Sequence, residues 1–250
     1  MVRSDARVQR DAVTLARKVN ARIVKLGKAP LLHGLVWITV PDDVIAGVAV
    51  QLARSQDWRG MTVFHSSGAL TSDALAPLRS KGAKVASVHP GMTFVRKAVP
   101  TLEGVPFGVE GDAAAVRLAK KIVGELGGTA VTIKKQDKIL YHAFDSCASP
   151  MLMALMTALE DVGIAAGIKS AELRAMAGPL LRQTLNNYLE HGAAAAFSGP
   201  LIRGDVATIE RHLDALREVP LAREAYVALA RVAVKNLPVK NRALLEKAIR

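Results

Sequence analysis

The chain has 250 residues, half of them apolar and only 4% aromatic, with 34 Lys and Arg against 22 Asp and Glu for a net charge of +12. That length admits one large domain or two modest ones, and a core of Ala, Leu and Val favours helices packed on a parallel sheet, an α/β architecture. The basic excess invites a nucleic-acid partner, but the charges are scattered with acids interleaved ("ERHLDALREVPLAREAY") and aromatics are too scarce for stacking platforms, which argues against one.

No apolar run is expected to cross a bilayer and the first residues do not read as a signal peptide, so the expected setting is the cytoplasm with no membrane partner. The lone Cys147, in "FDSCASP", rules out an internal disulfide and a cysteine-cluster zinc site, and reads as a small buried residue.

Val8, Ala12, Leu15, Ala16 and Val19 recur at helical spacing, so residues 5–20 are expected as an amphipathic helix. Around it Arg3, Arg7, Arg10, Arg17, Lys18, Arg22, Lys25 and Lys28 face only Asp5 and Asp11, a density that suits a phosphate ligand or a solvated face. "ARIVKL" is a short strand candidate, and "GLVWITV" is a continuous apolar run typical of a strand covered on both faces. "PDD" ends it, with Asp42 or Asp43 able to cap a helix through Ile45, Val48, Ala49 and Leu52. Strand "MTVFH", a short helix and strand "KVASVH" follow at βαβ spacing, which predicts parallel strands.

Past "HPGMTF", "VPFGVEG" reads as another strand, then a helix through Ala115, Ala119, Ile122 and Leu126 stopped by Gly127-Gly128, then a last strand "TAVTIK". Beyond residue 136 only helices are expected, the first broken or restarted at Pro150, with others near 170–190, 206–218 and 221–237. The expected organisation is therefore an α/β domain over 1–136 and an all-helical domain over 137–250.

In open parallel sheets ligands bind beyond the carboxyl ends of the strands. Three predicted strands end there in useful groups: "TVPDD", "FHSSGA" and "VHPGMT". His65, Ser66 and Ser67 would present polar groups to a crevice, with Gly68 permitting close approach of a ligand. The same stretch equally suits a Ser-rich turn capped at Thr71 or Ser72. His89 is held extended by Pro90. Metal catalysis finds no support, because the histidines lack ligand spacing such as H-x-x-x-H.

The order "WITVPDDVIAGVA", "VFHSSGALTSDALAPLRSKGAKVASVHPGMTF", "GVPFGVEGD", "LYHAF" and "FSGPLIRGDVATIERHLDAL" resembles the Rossmann-like NAD(P)-binding oxidoreductase family that carries a C-terminal helical domain of unknown function, the DUF2520 type. That family is similar in plan to pyrroline-5-carboxylate reductase, ketopantoate reductase and hydroxyisobutyrate dehydrogenase. The resemblance implies a Rossmann-like sheet followed by a 6-phosphogluconate-dehydrogenase-like helical domain. It implies hydride transfer between a nicotinamide cofactor and a small keto, imino or hydroxy acid, with the helical domain closing the cleft and building a homodimer.

One departure stands against it. The family opens with a strand, G-x-G-x-x-G and a helix that holds the pyrophosphate, and no such loop occurs in this chain. Aligned by order, "MVRSDARVQRDAVTLARKV" matches the end of the second strand and the next helix, so roughly 30 residues of a β–α unit are expected to be missing. Either the start has been misplaced, or the chain is a truncated, non-catalytic dimerisation or binding module.

Carried over by position, Arg3 and Ser4 fall where NADP-binding relatives hold the 2′-phosphate, and no acid sits there for a free 2′-OH, so the resemblance implies NADP in preference to NAD. Val40, Pro41 and Asp42 would line the ribose and nicotinamide, although Asp42 equally suits a helix cap. Ser66 and Ser67 would approach the nicotinamide; Ser67, Gly68, His89 and Thr93 would approach the substrate. Tyr141 and His142 fall where related dehydrogenases place a proton-handling residue, with His142 the first choice and His65 the second. A histidine among Leu140, Ala143 and Phe144 is as readily a core residue. Asn186 and Asn187 could orient a carboxyl or carbonyl group or lie on a helix surface. Arg203 could clamp a substrate carboxylate or pair with Asp205, which also suits capping of the next helix.

Overall fold

Short runs rich in Val, Phe and Thr become strands because such side chains fill a pleated, covered surface well. The computed structural model describes residues 6–24 (side chains from Ala12), 34–94 and 100–250. Its elements are α1 (Ala6–Lys18), β1 (Leu35–Ile38), α2 (Asp42–Leu52), β2 (Thr62–His65), α3 (Ala76–Arg79), β3 (Lys84–Pro90), β4 (Pro106–Gly111), α4 (Ala113–Glu125) and β5 (Thr129–Thr132), then α5 (Lys138–Ala148), α6 (Pro150–Ala165), α7 (Ser170–Ala196), α8 (Pro200–Arg203), α9 (Val206–Ala215), α10 (Pro220–Asn236) and α11 (Arg242–Ala248). Of "ARIVKL", residues 21–24 are not strand and the remainder lies outside the described residues.

The strands form one sheet in the order β1-β2-β3-β4-β5. β1, β2 and β3 pair in parallel, with Ile38 opposite His65 and His65 opposite Ser87. β4 departs from the all-parallel expectation, pairing antiparallel to β3 with Ser87 opposite Glu110 and His89 opposite Gly108. The reason lies in the connection. A parallel return needs a crossover helix, and the described parts of residues 91–105 carry none. β5 then pairs in parallel with β4 through α4.

Strand residues alternate between the two faces of the sheet. On one face Ile38, Val63 and Val85 pack against Ile45, Ala49 and Leu52 of α2, with Trp58, Leu75 and Leu78. On the other, Phe64, Ala86, Val88, Phe107 and Val109 pack against Ala115, Ala119 and Val123 of α4, whose end is marked by Gly127 at φ +79°. α2 carries no side-chain cap from either Asp42 or Asp43, since the helix begins at Asp42 behind Pro41.

Two compact units make up the chain, Met1–Ser146 and Cys147–Arg250. The division falls inside α5, because the first residues of that helix pack on the sheet. In the second unit Pro150 opens α6 as a new helix, Gly192 (φ +76°) breaks the regular geometry of α7, and Ile209, Leu213, Ala230, Val234, Leu245 and Ile249 form the core. Asp205 caps α9, its Oδ1 accepting from the Thr208 N–H at 3.1 Å.

Two composition-based expectations are corrected. Cys147 is exposed, because it closes the outward side of the last turn of α5. The stretch Lys135–Ala165 through α5 and α6 is long and apolar enough, by length and composition alone, to cross a membrane, its most apolar 18-residue window having a mean hydropathy of 1.3. The two helices join end to end at Ser149, which extends the run past what either half offers.

Phe64 is fully buried beneath α4 and meets Trp37 edge-on at 5.4 Å. Phe64→Ala is expected to lower the unfolding free energy of the α/β unit by about 3–5 kcal/mol in a denaturant titration.

Candidate active site

The alternation that buries Val63 and Val85 also sends His65, Ser87, His89, Gly108 and Glu110 to one face, toward the carboxyl ends of β2 and β3. α5 lays Lys138, Tyr141, His142 and Asp145 against that polar half. Lys138 is fully buried and its Nζ donates to Ser87 Oγ at 2.8 Å, while Ser87 Oγ donates to the Ser67 carbonyl at 3.1 Å. The Tyr141 ring lies 5.4 Å from the ammonium and packs where Gly108 has no side chain, since a Cβ there would come within 2.5 Å of Cζ.

Tyr141 Oη is hydrogen-bonded to His89 Nδ1 at 3.0 Å, and the rings of His89 and His142 meet edge-on with centroids 5.9 Å apart. Gly68 admits both imidazoles, because a Cβ at that position would lie 2.5 Å from His142 Cδ2 and 2.8 Å from His89 Nε2. Asp145 Oδ2 stands 3.4 Å from His89 Nδ1 and, among the described residues, is a buried oxygen without a hydrogen-bond donor.

Burial dominates the electrostatics. It lowers the His89 pKa to about 4, aided by the nearby Lys138 charge, so the ring is neutral and its approach to Asp145 is not an ion pair. It lowers the Lys138 pKa to about 8, against the pull of Glu110, Asp145 and Asp42. It also raises the Tyr141 phenol, and Asp145 adds to that rise. An amine that exchanges its proton near pH 8 is suited to general acid or base work, unlike an ordinary surface lysine.

His65 differs from its expected role as a proton donor. Its Nδ1 accepts from the Ser67 N–H and its Nε2 donates to the Thr71 carbonyl, both at 3.1 Å, which fixes one tautomer and leaves the buried ring engaged in holding the turn. Desolvation lowers its pKa, keeping it neutral. The two serine hydroxyls are likewise internal. Ser66 Oγ accepts from Trp37 Nε1 at 2.8 Å, and Ser67 Oγ donates to Asp42 Oδ2 at 2.6 Å while accepting from the Leu70 N–H. Thr71 caps the turn that follows. Here "HSSGALT" follows the end of β2 and forms the turn capped at Thr71.

The fold therefore gathers Asp42, His65, Ser67, Gly68, His89, Tyr141 and His142 into one connected cluster. Val40 and Pro41 are exposed where β1 ends, and Thr93 is exposed beyond β3. Arg3 and Ser4 lie outside the described residues. Asn187 and Arg203 belong to the helical unit, where Asn187 Oδ1 accepts from Gln183 and Arg203 is exposed at the end of α8. The residue that motif reading missed is Lys138. Its signal was available: Lys138, Tyr141 and Asp145 recur at helical spacing as a polar stripe on an otherwise apolar helix, starting with a cation at the helix end that disfavours one.

These features define a Rossmann-like α/β unit with a polar strand-end cluster, followed by a helical unit. A Rossmann-like domain matches residues 3–90, and the domain of unknown function DUF2520 matches residues 105–233. The chain belongs to the DUF2520 family. Among solved structures it is similar to protein TM1727 from Thermotoga maritima, with 24% identity and a TM-score of 0.74 over 100% of this chain and 90% of that one. It is similar to BF3122 from Bacteroides fragilis, a candidate NADP oxidoreductase, with 17% identity and a TM-score of 0.70 over 91% and 85% of the two chains. An imine reductase from Myxococcus stipitatus, solved with NADP+, gives 16% identity and a TM-score of 0.57 over 98% and 90%. At these identities the likeness is one of fold. No curated protein matches the chain.

Because the folded state holds His89 and His65 below the ordinary histidine pKa, their contribution to stability is present above about pH 6.5 and is lost as the pH falls toward 4. Thermal unfolding followed from pH 7 to 4 is expected to show a falling melting temperature, with a shallower slope in His89→Gln.

Proposed function

We propose that the protein is an NADP-dependent oxidoreductase, acting in the cytoplasm, that transfers a hydride between the nicotinamide and a small keto, imino or hydroxy acid. The observation that carries this reading is the buried ammonium of Lys138, held on Ser87 beside Tyr141 and His89 at the strand ends. Support for the cofactor comes from neighbours of the same fold, among them the imine reductase solved with NADP+.

The residues present fit the nicotinamide end of such a cofactor. Val40, Pro41 and Asp42 are exposed at the carboxyl end of β1, and Asp42 is joined to the strand-end cluster through Ser67. Arg3 and Ser4 are assigned to the 2′-phosphate on sequence grounds alone. When bound, NADPH supplies the hydride. Lys138 delivers a proton to the oxygen or nitrogen of the reduced double bond, and in the oxidative direction the neutral amine accepts it. Tyr141 and His89 orient that exchange, and His142, partly exposed at the edge of His89, passes protons to and from water. Thr93 remains a proposed contact for the rest of the substrate, and Asn187 and Arg203 keep that assignment on the resemblance alone.

The homodimer implied by the resemblance is proposed on the same footing. In the helical unit Leu180 at 70% and Leu189 at 76% exposure on α7 are apolar side chains that a second copy would cover.

Thermal-shift screening of small keto and imino acids with NADPH identifies the substrate by the stabilisation it confers. With that substrate, Lys138→Met is expected to cut turnover about 10²–10⁴-fold while NADPH affinity stays nearly unchanged. In the wild type, reduction falls as the pH rises through about 8, where the ammonium is lost; an unchanged rate in the variant removes Lys138 from the chemistry. Light scattering on the purified chain is expected to return twice the 26.6 kDa monomer mass, and a monomer would overturn the dimer.

A further inference from the structure

We infer that Glu110 is the positioning residue of Lys138, its carboxylate being the buried counter-charge against which the ammonium is set. This rests on the reading of Lys138 as the proton donor. Among the described residues Glu110 and Lys138 are the buried members of the Asp, Glu, Lys and Arg set, at 2% and 0% exposure. A buried charge of either sign is strongly disfavoured unless an opposite charge and hydrogen bonds accompany it. One of each sign in one unit calls for a common site.

The sheet register supplies it. Glu110 lies directly opposite Ser87 in the antiparallel β3–β4 pair, and Ser87 Oγ is the atom on which Lys138 Nζ rests. Directly opposite residues project to the same face with their Cβ atoms about 5 Å apart. Glu110 is also held in place. Its Oε1 accepts from the Ser72 N–H and its Oε2 from Ser72 Oγ, and Arg79 Nη2 donates to that same hydroxyl.

The other titratable groups around the ammonium are less enclosed or neutral: Asp42 on α2, His65 on β2, His89 on β3, and Tyr141 and Asp145 on α5. Glu110 is foremost among the groups that resist the effect of burial on Lys138, ahead of Asp145 and Asp42. Its chemistry is that of a tuner. It touches neither substrate nor cofactor, and it sets how readily the ammonium gives up its proton.

The test is a direct titration of Lys138 by NMR of lysine labelled at Cε, assigned with Lys138→Met, on the whole chain without cofactor. In Glu110→Gln the midpoint is expected to fall by about one pH unit, a ten-fold change in the protonation equilibrium, while Glu110→Asp stays near the wild type. An unmoved midpoint in Glu110→Gln, or equal shifts in both variants, overturns the pairing. Should Glu110→Gln fail to fold, the double variant Glu110→Gln/Lys138→Met decides: with no charge left unpaired it is expected to fold and to melt above the single variant, and melting no higher overturns the proposal. If the NMR midpoint moves and the alkaline limb of turnover does not, the pairing stands and the acid role of Lys138 falls.

Discussion

A strand sends its side chains alternately to two faces, and this chain uses that constraint to separate chemistry from core. Along β3 the even positions Ala86 and Val88 join the apolar layer under α4. The odd positions run Val85, Ser87, His89, beginning in core and ending in the polar cluster. β4 is antiparallel, yet its register puts Glu110 and Gly108 on the same face as Ser87 and His89. A slip of β4 by one residue would turn Glu110 and Gly108 to the other face, away from Ser87 and His89.

Around that register the small residues act as shape. Gly108 and Gly68 are not hinges here; they are spaces that Tyr141, His89 and His142 fill. The hydroxyls of Ser66 and Ser67 hold the strand-end loop closed through Trp37 and Asp42. The same residue types that suggest ligand contact in a sequence thus serve as scaffolding, because buried polar groups must find partners and the nearest ones stand on β1 and at the start of α2. Lys135 to Asp73, and Arg79 to both Asp73 and Asp112, tie the approach to α5 onto the outer turns of the sheet. The pairs on Asp73 are half-exposed and contribute position more than stability, while Arg79–Asp112 is more enclosed.

Much of this was legible before any coordinates. "MTVFH", "KVASVH" and "VPFGVEG" became strands nearly residue for residue, the glycine pair ended α4, and Pro150 and Asp205 opened helices where their chemistry suggested. His89, marked by its strand-end motif, and Tyr141 and His142, marked by the resemblance, lie together. Less legible was the direction of β4, which depends on a connection without a helix. The setting of His65 is not legible, because a sequence does not reveal that the Ser67 amide and the Thr71 carbonyl take both ring nitrogens. Lys138 is not legible as a site residue, because lysine is ordinarily a surface residue and its burial exists only once α5 is laid on the sheet.

The sequence by itself determined the local periods: where the chain runs at two residues per repeat, where at 3.6, and which ends carry Gly, Pro, Ser or His. Those follow from short-range sterics and solvation, which a linear string records. Only the tertiary structure decided which polar groups face one another, since the pairing of Ser87 with Glu110 and the descent of Lys138 onto Ser87 join residues far apart in the chain. Desolvation did the rest: the same lysine and histidine side chains acquire their altered proton affinities from being enclosed, and enclosure belongs to the packed sheet and helix, not to the residue.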